Sequence, residues 1–251
     1  MVSTWEDFYA KHPPPQDLAQ NEQALKEFTR KHLEAGNKVV LVTSGGTTVP
    51  LEHNTVRFVD NFSAGTRGSV SAEYFLEHGY AVIFMYRVKS LEPFSRHFIG
   101  QKFLDLLQIS DNNENPVITG DTTRTYAEGS IHKISSSGPP TISLQLVPKI
   151  LAPLVSLWVP KAFVVSFKLE TDESLLISKA RTALNKYHHN LNFDGNVFQL
   201  VIANMLQTRK QQVIIVSKET NYVLSLTNEQ LDNGEEIEQL IVRDLVEKHI
   251  K

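Results

Sequence analysis

Lys38-Val39-Val40-Leu41-Val42-Thr43-Ser44-Gly45-Gly46 runs from β-branched apolar residues straight into a pair of glycines. A short apolar run with no polar alternation, stopped by turn formers, reads as a strand buried on both faces of a parallel sheet. Upstream, Leu18, Leu25, Phe28 and Leu33 fall near helical spacing between Asp17 and Glu34, and Gly36 ends the pattern. Downstream, Gly68 to His78 reads as a helix closed by Gly79, and Tyr80 to Tyr86 as the next strand. Strand, helix, strand in this order implies a right-handed βαβ unit.

The C-terminal half repeats the theme. Strands are expected at Thr141 to Val147, Lys161 to Phe167 and Leu200 to Asn204, with helices at Pro148 to Leu157 and Glu173 to Tyr187. Gln212 to Lys218 and Tyr222 to Thr227 read as an antiparallel hairpin at a sheet edge. Ile237, Leu240, Ile241, Leu245 and Val246 share one face of a closing helix over Glu235 to His249. The expected class is α/β: a three-layer, mostly parallel Rossmann-like sheet with helices on both faces and a small antiparallel edge hairpin. One domain over residues 1–251 is expected, entered through an N-terminal arm, residues 1–16, that holds Pro13-Pro14-Pro15.

A formal net charge of -3, with both signs spread along the chain, provides no basic field for nucleic acid. No apolar run approaches the roughly 20 residues that span a bilayer, and the N-terminus lacks a signal core, so a cytoplasmic protein is expected. The absence of cysteine removes disulfides, thiolate metal sites and a cysteine nucleophile together. The nine histidines show no metal-ligand spacing, which argues against a zinc enzyme and leaves any metal ligands unassigned.

Two stretches fit this scheme badly. Ser110 to Gly138 is rich in Asn, Asp, Thr, Ser and Gly, although structureless loops beyond about 12 to 15 residues are uncommon inside a domain. Residues 109–138 are therefore read as irregular. Asn192-Phe193-Asp194-Gly195-Asn196 places turn formers where a strand should soon follow, and reads as an insertion.

The chemistry concentrates at Ser44-Gly45-Gly46-Thr47 and at Arg57 to Gly68, which leads into a helix. Ligands of parallel α/β sheets sit outside the carboxyl ends of strands, where glycines let backbone approach phosphate and a helix N-terminus offers free N–H groups. Neither GxGxxG nor GxxxxGK[ST] is present. Tight packing alone would explain glycines. Asn61, Ser63 and Arg67 beside Gly65 and Gly68 are more than a turn requires.

The run Val42 to Glu52, then Val56-Arg57-Phe58-Val59-Asp60-Asn61-Phe62-Ser63-Ala64-Gly65 and Arg67-Gly68, closely resembles the eukaryotic phosphopantothenate–cysteine ligases of coenzyme A synthesis. Collinear matches continue through His132-Lys133-Ile134, Val147-Pro148-Lys149, Ser166-Phe167-Lys168-Leu169-Glu170-Thr171-Asp172, Ala203-Asn204 and Thr208-Arg209. The resemblance implies a two-step ligation. The carboxylate of 4′-phosphopantothenate attacks the α-phosphate of a nucleoside triphosphate, releasing pyrophosphate, and the cysteine amine then displaces the nucleotide from the acyl-nucleotide. Such chemistry needs positioning and charge screening, with Mg²⁺ and fixed donors, more than a protein nucleophile. The wording around Thr43-Ser44-Gly45-Gly46 and Phe167-Lys168-Leu169-Glu170 favours ATP over CTP.

By the same resemblance Gly45, Gly46, Ser63, Gly65, Gly68, Phe167 and Asn204 line the nucleotide site, and Asn61 holds the acyl intermediate or substrate carboxylate. A homodimer is implied in which Arg57 reaches the partner's site and meets the substrate phosphate. On residue type alone the alternatives stay open: Arg57 as a surface salt bridge, Asn204 as a turn cap, Phe167 as core. Lys133, Lys168, Lys179 and Lys186 are all candidates for charge stabilisation. The chain departs from the family between Ile109 and Ile131, where an Ala-Ala-x-x-Asp-Phe type motif is missing. That loss should take a strand from mid-sheet and uncover its neighbours. It also opens a second reading, a catalytically impaired isoform or gene model that only binds or dimerises. An oxidoreductase is disfavoured by the missing dinucleotide fingerprint.

Overall fold

A computed structural model of the chain describes residues 4–52, 54, 56–87, 89–97, 148–187 and 199–250. The strand expected at Thr141 to Val147, the interval 109–138 and the Asn192 to Asn196 insertion lie outside them. The arm is not wholly irregular: Trp5–Lys11 is a helix, α1, opened by a capping box in which Thr4 and Asp7 exchange side-chain and backbone hydrogen bonds. The chain folds as two compact units, one of Pro13–Gln145 and the other of Met1–His12 with Leu146–Lys251.

In the first unit, α2 (Leu18–Glu34) precedes β1 (Val39–Thr43). The antiparallel strands β2 (Thr48–Pro50) and β3 (Phe58–Asp60) follow, then α3 (Thr66–Glu77) and β4 (Ala81–Met85). β1 and β4 pair in parallel from Val39 with Ala81 to Thr43 with Met85, the expected strand, helix, strand unit. The β2–β3 hairpin between them was not expected. It is short, and Pro50 confines it to an edge role. Among the described residues β1 and β4 form a two-stranded sheet. Leu41 is 55% exposed and Met85 60% exposed, although the apolar run is written for burial on both faces.

The second unit holds a short helix α4 (Leu151–Pro153) that continues as a π-turn over Leu154–Trp158. It is followed by β5 (Val164–Glu170), α5 (Glu173–Tyr187), β6 (Gln199–Met205), β7 (Gln212–Val216), β8 (Asn221–Ser225), α6 (Asn228–Asp232) and α7 (Ile237–Ile250). Its sheet has the order β5-β6-β7-β8, parallel only between β5 and β6. The α/β class stands, as does the edge hairpin, β7–β8. Among the described strands the parallel pairs are β1–β4 and β5–β6, and the remaining pairs are antiparallel.

Side-chain alternation gives this unit three layers. Leu176, Ala180 and Leu184 of α5 pack on Val201, Ala203 and Val216. Ile202, Ile215 and Tyr222 are register partners and so face the other way. On that face the Tyr222 hydroxyl donates to Asp244 Oδ2 of α7 at 2.6 Å, and Lys248 Nζ donates to Asp244 Oδ1 at 2.6 Å. Burial, reinforced by Asp244, pushes the Tyr222 hydroxyl up to about 12. A raised pKa means the neutral phenol is favoured in the fold. Its contribution is therefore complete below the ordinary tyrosine range near 10 and is lost as pH rises through about 12. Tyr222→Phe is expected to lower stability by about 1.5–3 kcal/mol in urea unfolding at neutral pH, the net worth of a bond to a charged acceptor. The gap between wild type and variant should close above pH 12.

Candidate functional site

The glycine turns meet at the carboxyl end of β1. Ser44 N–H donates to Met85 O at 2.8 Å, so the chain leaves β1 still paired with β4. Ser44 Oγ donates to Gly65 O at 2.9 Å, tying the first turn to the start of α3. Gly45 has φ of 99° and Gly65 φ of 78°, the left-handed region that favours glycine. The close approach is steric as well. A Cβ on Gly68 would lie 2.5 Å from Ser44 Cβ, and one on Gly46 would lie 2.3 Å from Asn61 Oδ1. Gly45, Gly46, Gly65 and Gly68 thus share one seam with Asn61 and Ser63.

Asn61 staples this seam. Its Oδ1 accepts from Thr47 N–H at 3.0 Å and from Ser63 N–H at 3.4 Å, while its own N–H donates to Thr47 O at 3.2 Å. Both side-chain contacts are backbone donors, so the amide oxygen is the inward atom and Nδ2 the outward one. Nδ2 makes no hydrogen bond among the described residues. The Thr48 hydroxyl and Phe62 N–H, with Arg87 and Lys89 further off, hold the Asp60 carboxyl below the usual carboxylate range. An uncommitted amide donor beside backbone N–H groups at a helix start is suited to an anionic oxygen.

Arg57 follows the β2–β3 turn. Its Nε donates to Glu52 Oε1 at 3.0 Å and its backbone N–H to Glu52 Oε2 at 2.9 Å. Glu52 is only 1% exposed, so this is not an ordinary surface pair. Sequence reasoning did not single out Glu52. An acid inside a recognised block, five residues before a candidate arginine, was the available signal. It also missed Arg87, whose Nη1 donates to Gly46 O at 3.0 Å. Glu73 was missed too: buried on α3, it accepts from Phe94 N–H at 2.8 Å, Arg96 Nη2 at 2.6 Å and His97 Nε2 at 3.3 Å. Burial raises its carboxyl, and the Arg96, Phe94 and His97 bonds outweigh that and lower it.

Phe167 and Asn204 belong to the other unit, where β5 and β6 bring them near each other: Leu169 is the register partner of Asn204. Asn204 is 4% exposed and its Nδ2 donates to Lys168 O at 2.7 Å, a brace within the sheet and not a turn cap. Phe167 is 47% exposed, so it is not core. Lys168 and Lys179 both pair with Glu170, at 3.1 and 2.8 Å. Lys186 is lowered by neighbouring Lys149, and Lys133 lies outside the described residues. Among the described residues no group of three or more His, Cys, Asp or Glu could hold a metal ion, and no helix is long and apolar enough to cross a membrane.

No protein-family model matches the chain. The phosphopantothenate–cysteine ligase of Homo sapiens is 35% identical to it over 308 residues, covering 97% of this chain and 96% of the human protein. The chain belongs to the phosphopantothenate–cysteine ligase family. A solved structure of a Cab2 mutant in complex with phosphopantothenate-cysteine superposes with a TM-score of 0.79 at 35% identity, covering 97% of each chain. A pantothenate-metabolism flavoprotein from Streptococcus pneumoniae, 21% identical with a TM-score of 0.55, shares the fold. The human alignment runs over 308 residues, whereas this chain has 251. The human ligase therefore carries internal residues with no counterpart here.

Proposed function

We propose that this chain joins 4′-phosphopantothenate to cysteine through an acyl-nucleotide, using ATP in preference to CTP. The observation that carries this reading is near-full-length similarity to the human ligase, 35% identity over 97% of the chain. The seam around Gly45, Gly46, Ser63, Gly65 and Gly68 receives the triphosphate, and Phe167 and Asn204 are also assigned to the nucleotide. Asn61 Nδ2 donates to the substrate carboxylate or to the acyl-nucleotide. Arg57, held by Glu52, is the guanidinium that meets the phosphate of 4′-phosphopantothenate in a partner subunit, and the working form is a cytosolic homodimer. Mg²⁺ bound with the triphosphate would supply screening of its charge. Magnesium keeps several waters and takes mainly phosphate oxygens. The missing family segment falls in the interval 109–138.

The test is pyrophosphate release with ATP, Mg²⁺, 4′-phosphopantothenate and cysteine, with CTP in parallel. Release that requires 4′-phosphopantothenate, occurs as a burst without cysteine and continues when cysteine is added is the expected result. A chain that binds ATP and 4′-phosphopantothenate yet releases no pyrophosphate would instead be a binding or dimerising subunit.

A further inference from the structure

Arg87 stands two residues beyond the end of β4, beside the strand end that delivers Gly45 and Gly46. Its Nη1 donates to Gly46 O at 3.0 Å, and its Cβ lies 3.5 Å from the point where a side chain on Gly45 would begin. That is the only side-chain hydrogen bond of Arg87 among the described residues, and with Asp60 only near enough to feel its charge, the other guanidinium donors have no hydrogen-bond acceptor there. The side chain is half-buried and fixed at one corner. An arginine restrained in this way loses little further freedom on meeting an oxyanion, and its planar donors match phosphate oxygens in pairs.

Ser90 adjoins it, donating its N–H to Arg87 O at 2.7 Å. Ser90 Cβ would stand 3.2 Å from a Cβ on Gly45 and equally 3.2 Å from one on Gly65. The stretch beyond is bound to the start of α3 and to its body. Leu91 N–H donates to Ala64 O at 2.8 Å, Ser69 Oγ to Glu92 O at 2.8 Å, and the buried Glu73 grips Phe94 and Arg96. Arg87 and Ser90 are therefore fastened to the element that presents Gly65 and Gly68.

We propose that Arg87 is a phosphate-binding residue of the nucleotide site, meeting the β- and γ-phosphates that depart as pyrophosphate, with Ser90 limiting their approach to Gly45 and Gly65. This rests on the nucleotide reading above and places a restrained cation beside Gly45 and Gly46. The chemistry asks for one there. When the α-phosphate is attacked by a carboxylate, the breaking bond leaves negative charge on the pyrophosphate oxygens, and a fixed guanidinium stabilises it.

The test titrates wild type, Arg87→Ala and Arg87→Lys separately with a non-hydrolysable ATP analogue, AMP and 4′-phosphopantothenate by calorimetry, with melting curves for each variant. Arg87→Ala is expected to weaken the ATP analogue about tenfold to a hundredfold, the usual worth of a hydrogen bond to a charged group. AMP and 4′-phosphopantothenate should bind as before, and Arg87→Lys should recover part of the loss. Equal losses for AMP and the ATP analogue, or no loss for either, would reduce Arg87 to a brace on Gly46 and overturn the assignment. A loss confined to 4′-phosphopantothenate would also overturn it by giving this phosphate contact to the acid. Wild type that binds no ATP analogue would defeat the nucleotide reading itself.

Discussion

Asn61→Ala is expected to leave ATP binding within a few-fold of wild type while amide formation falls by about a hundredfold to a thousandfold, the cost of removing one positioned donor from a charge-developing site. The side chain has two separable functions. Its oxygen holds Thr47 and Ser63 together, and its nitrogen is left to face outward. Alanine removes both, so a loss of rate alone would not say which mattered. Asn61→Asp separates them. A carboxylate oxygen can still accept from the Thr47 and Ser63 N–H groups, so the seam keeps its shape. The outward atom, however, changes from a donor to an anionic acceptor aimed at an anionic ligand. Turnover should fall at least as far in Asn61→Asp as in Asn61→Ala, while its melting temperature stays nearer to wild type. Measured kcat for product formation at saturating ATP is the readout. Wild-type turnover in Asn61→Asp would remove the amide nitrogen from the reaction and leave Asn61 only as a staple.

Local pattern made most of the elements legible. β1 is a β-branched run cut off by glycines, α5 matches the expected bounds Glu173–Tyr187, and the β7–β8 hairpin is flagged by its polar turn. What escaped was short or non-local. Trp5–Lys11 makes a helix because Thr4 and Asp7 cap it, a signal hidden beside three prolines. The β2–β3 hairpin has only three residues a side, too few for alternation to register. The glycine seam was visible as a motif because close approach demands glycine at fixed places. Its supports were not, since Arg87 acts on Gly46 from 41 residues away and Glu73 on Arg96 from 23. Nothing in a linear reading joins such partners. The rule that ligands gather outside strand ends does single out the residues following β4, and Arg87 is among them.

Gly68→Ala is expected to be among the most damaging single methyls at the described glycines. The added Cβ would sit 2.4 Å from Ser44 Oγ, 2.5 Å from Ser44 Cβ and 3.2 Å from Ser44 Cα, and two of those three atoms cannot swing away. Gly68 lies in the first turn of α3, whose approach to β1 is fixed by the Ser44 Oγ bond to Gly65 O. The helix start must therefore move off the strand end. Overpacking of this kind costs about 1–3 kcal/mol of stability. The larger effect falls on the reaction, because a displacement near 1 Å in a positioning site can cost about a hundredfold in rate. ATP-dependent pyrophosphate release should drop by about that factor even where urea unfolding shows Gly68→Ala still folded. Ser44→Gly supplies the control: it deletes the two nearest clashing atoms and leaves only the Cα. In the double variant part of the stability lost to Gly68→Ala should return, so the two changes will not add. Additive losses, or a Gly68→Ala protein with wild-type stability and turnover, would mean that α3 and β1 do not meet as closely as the seam requires.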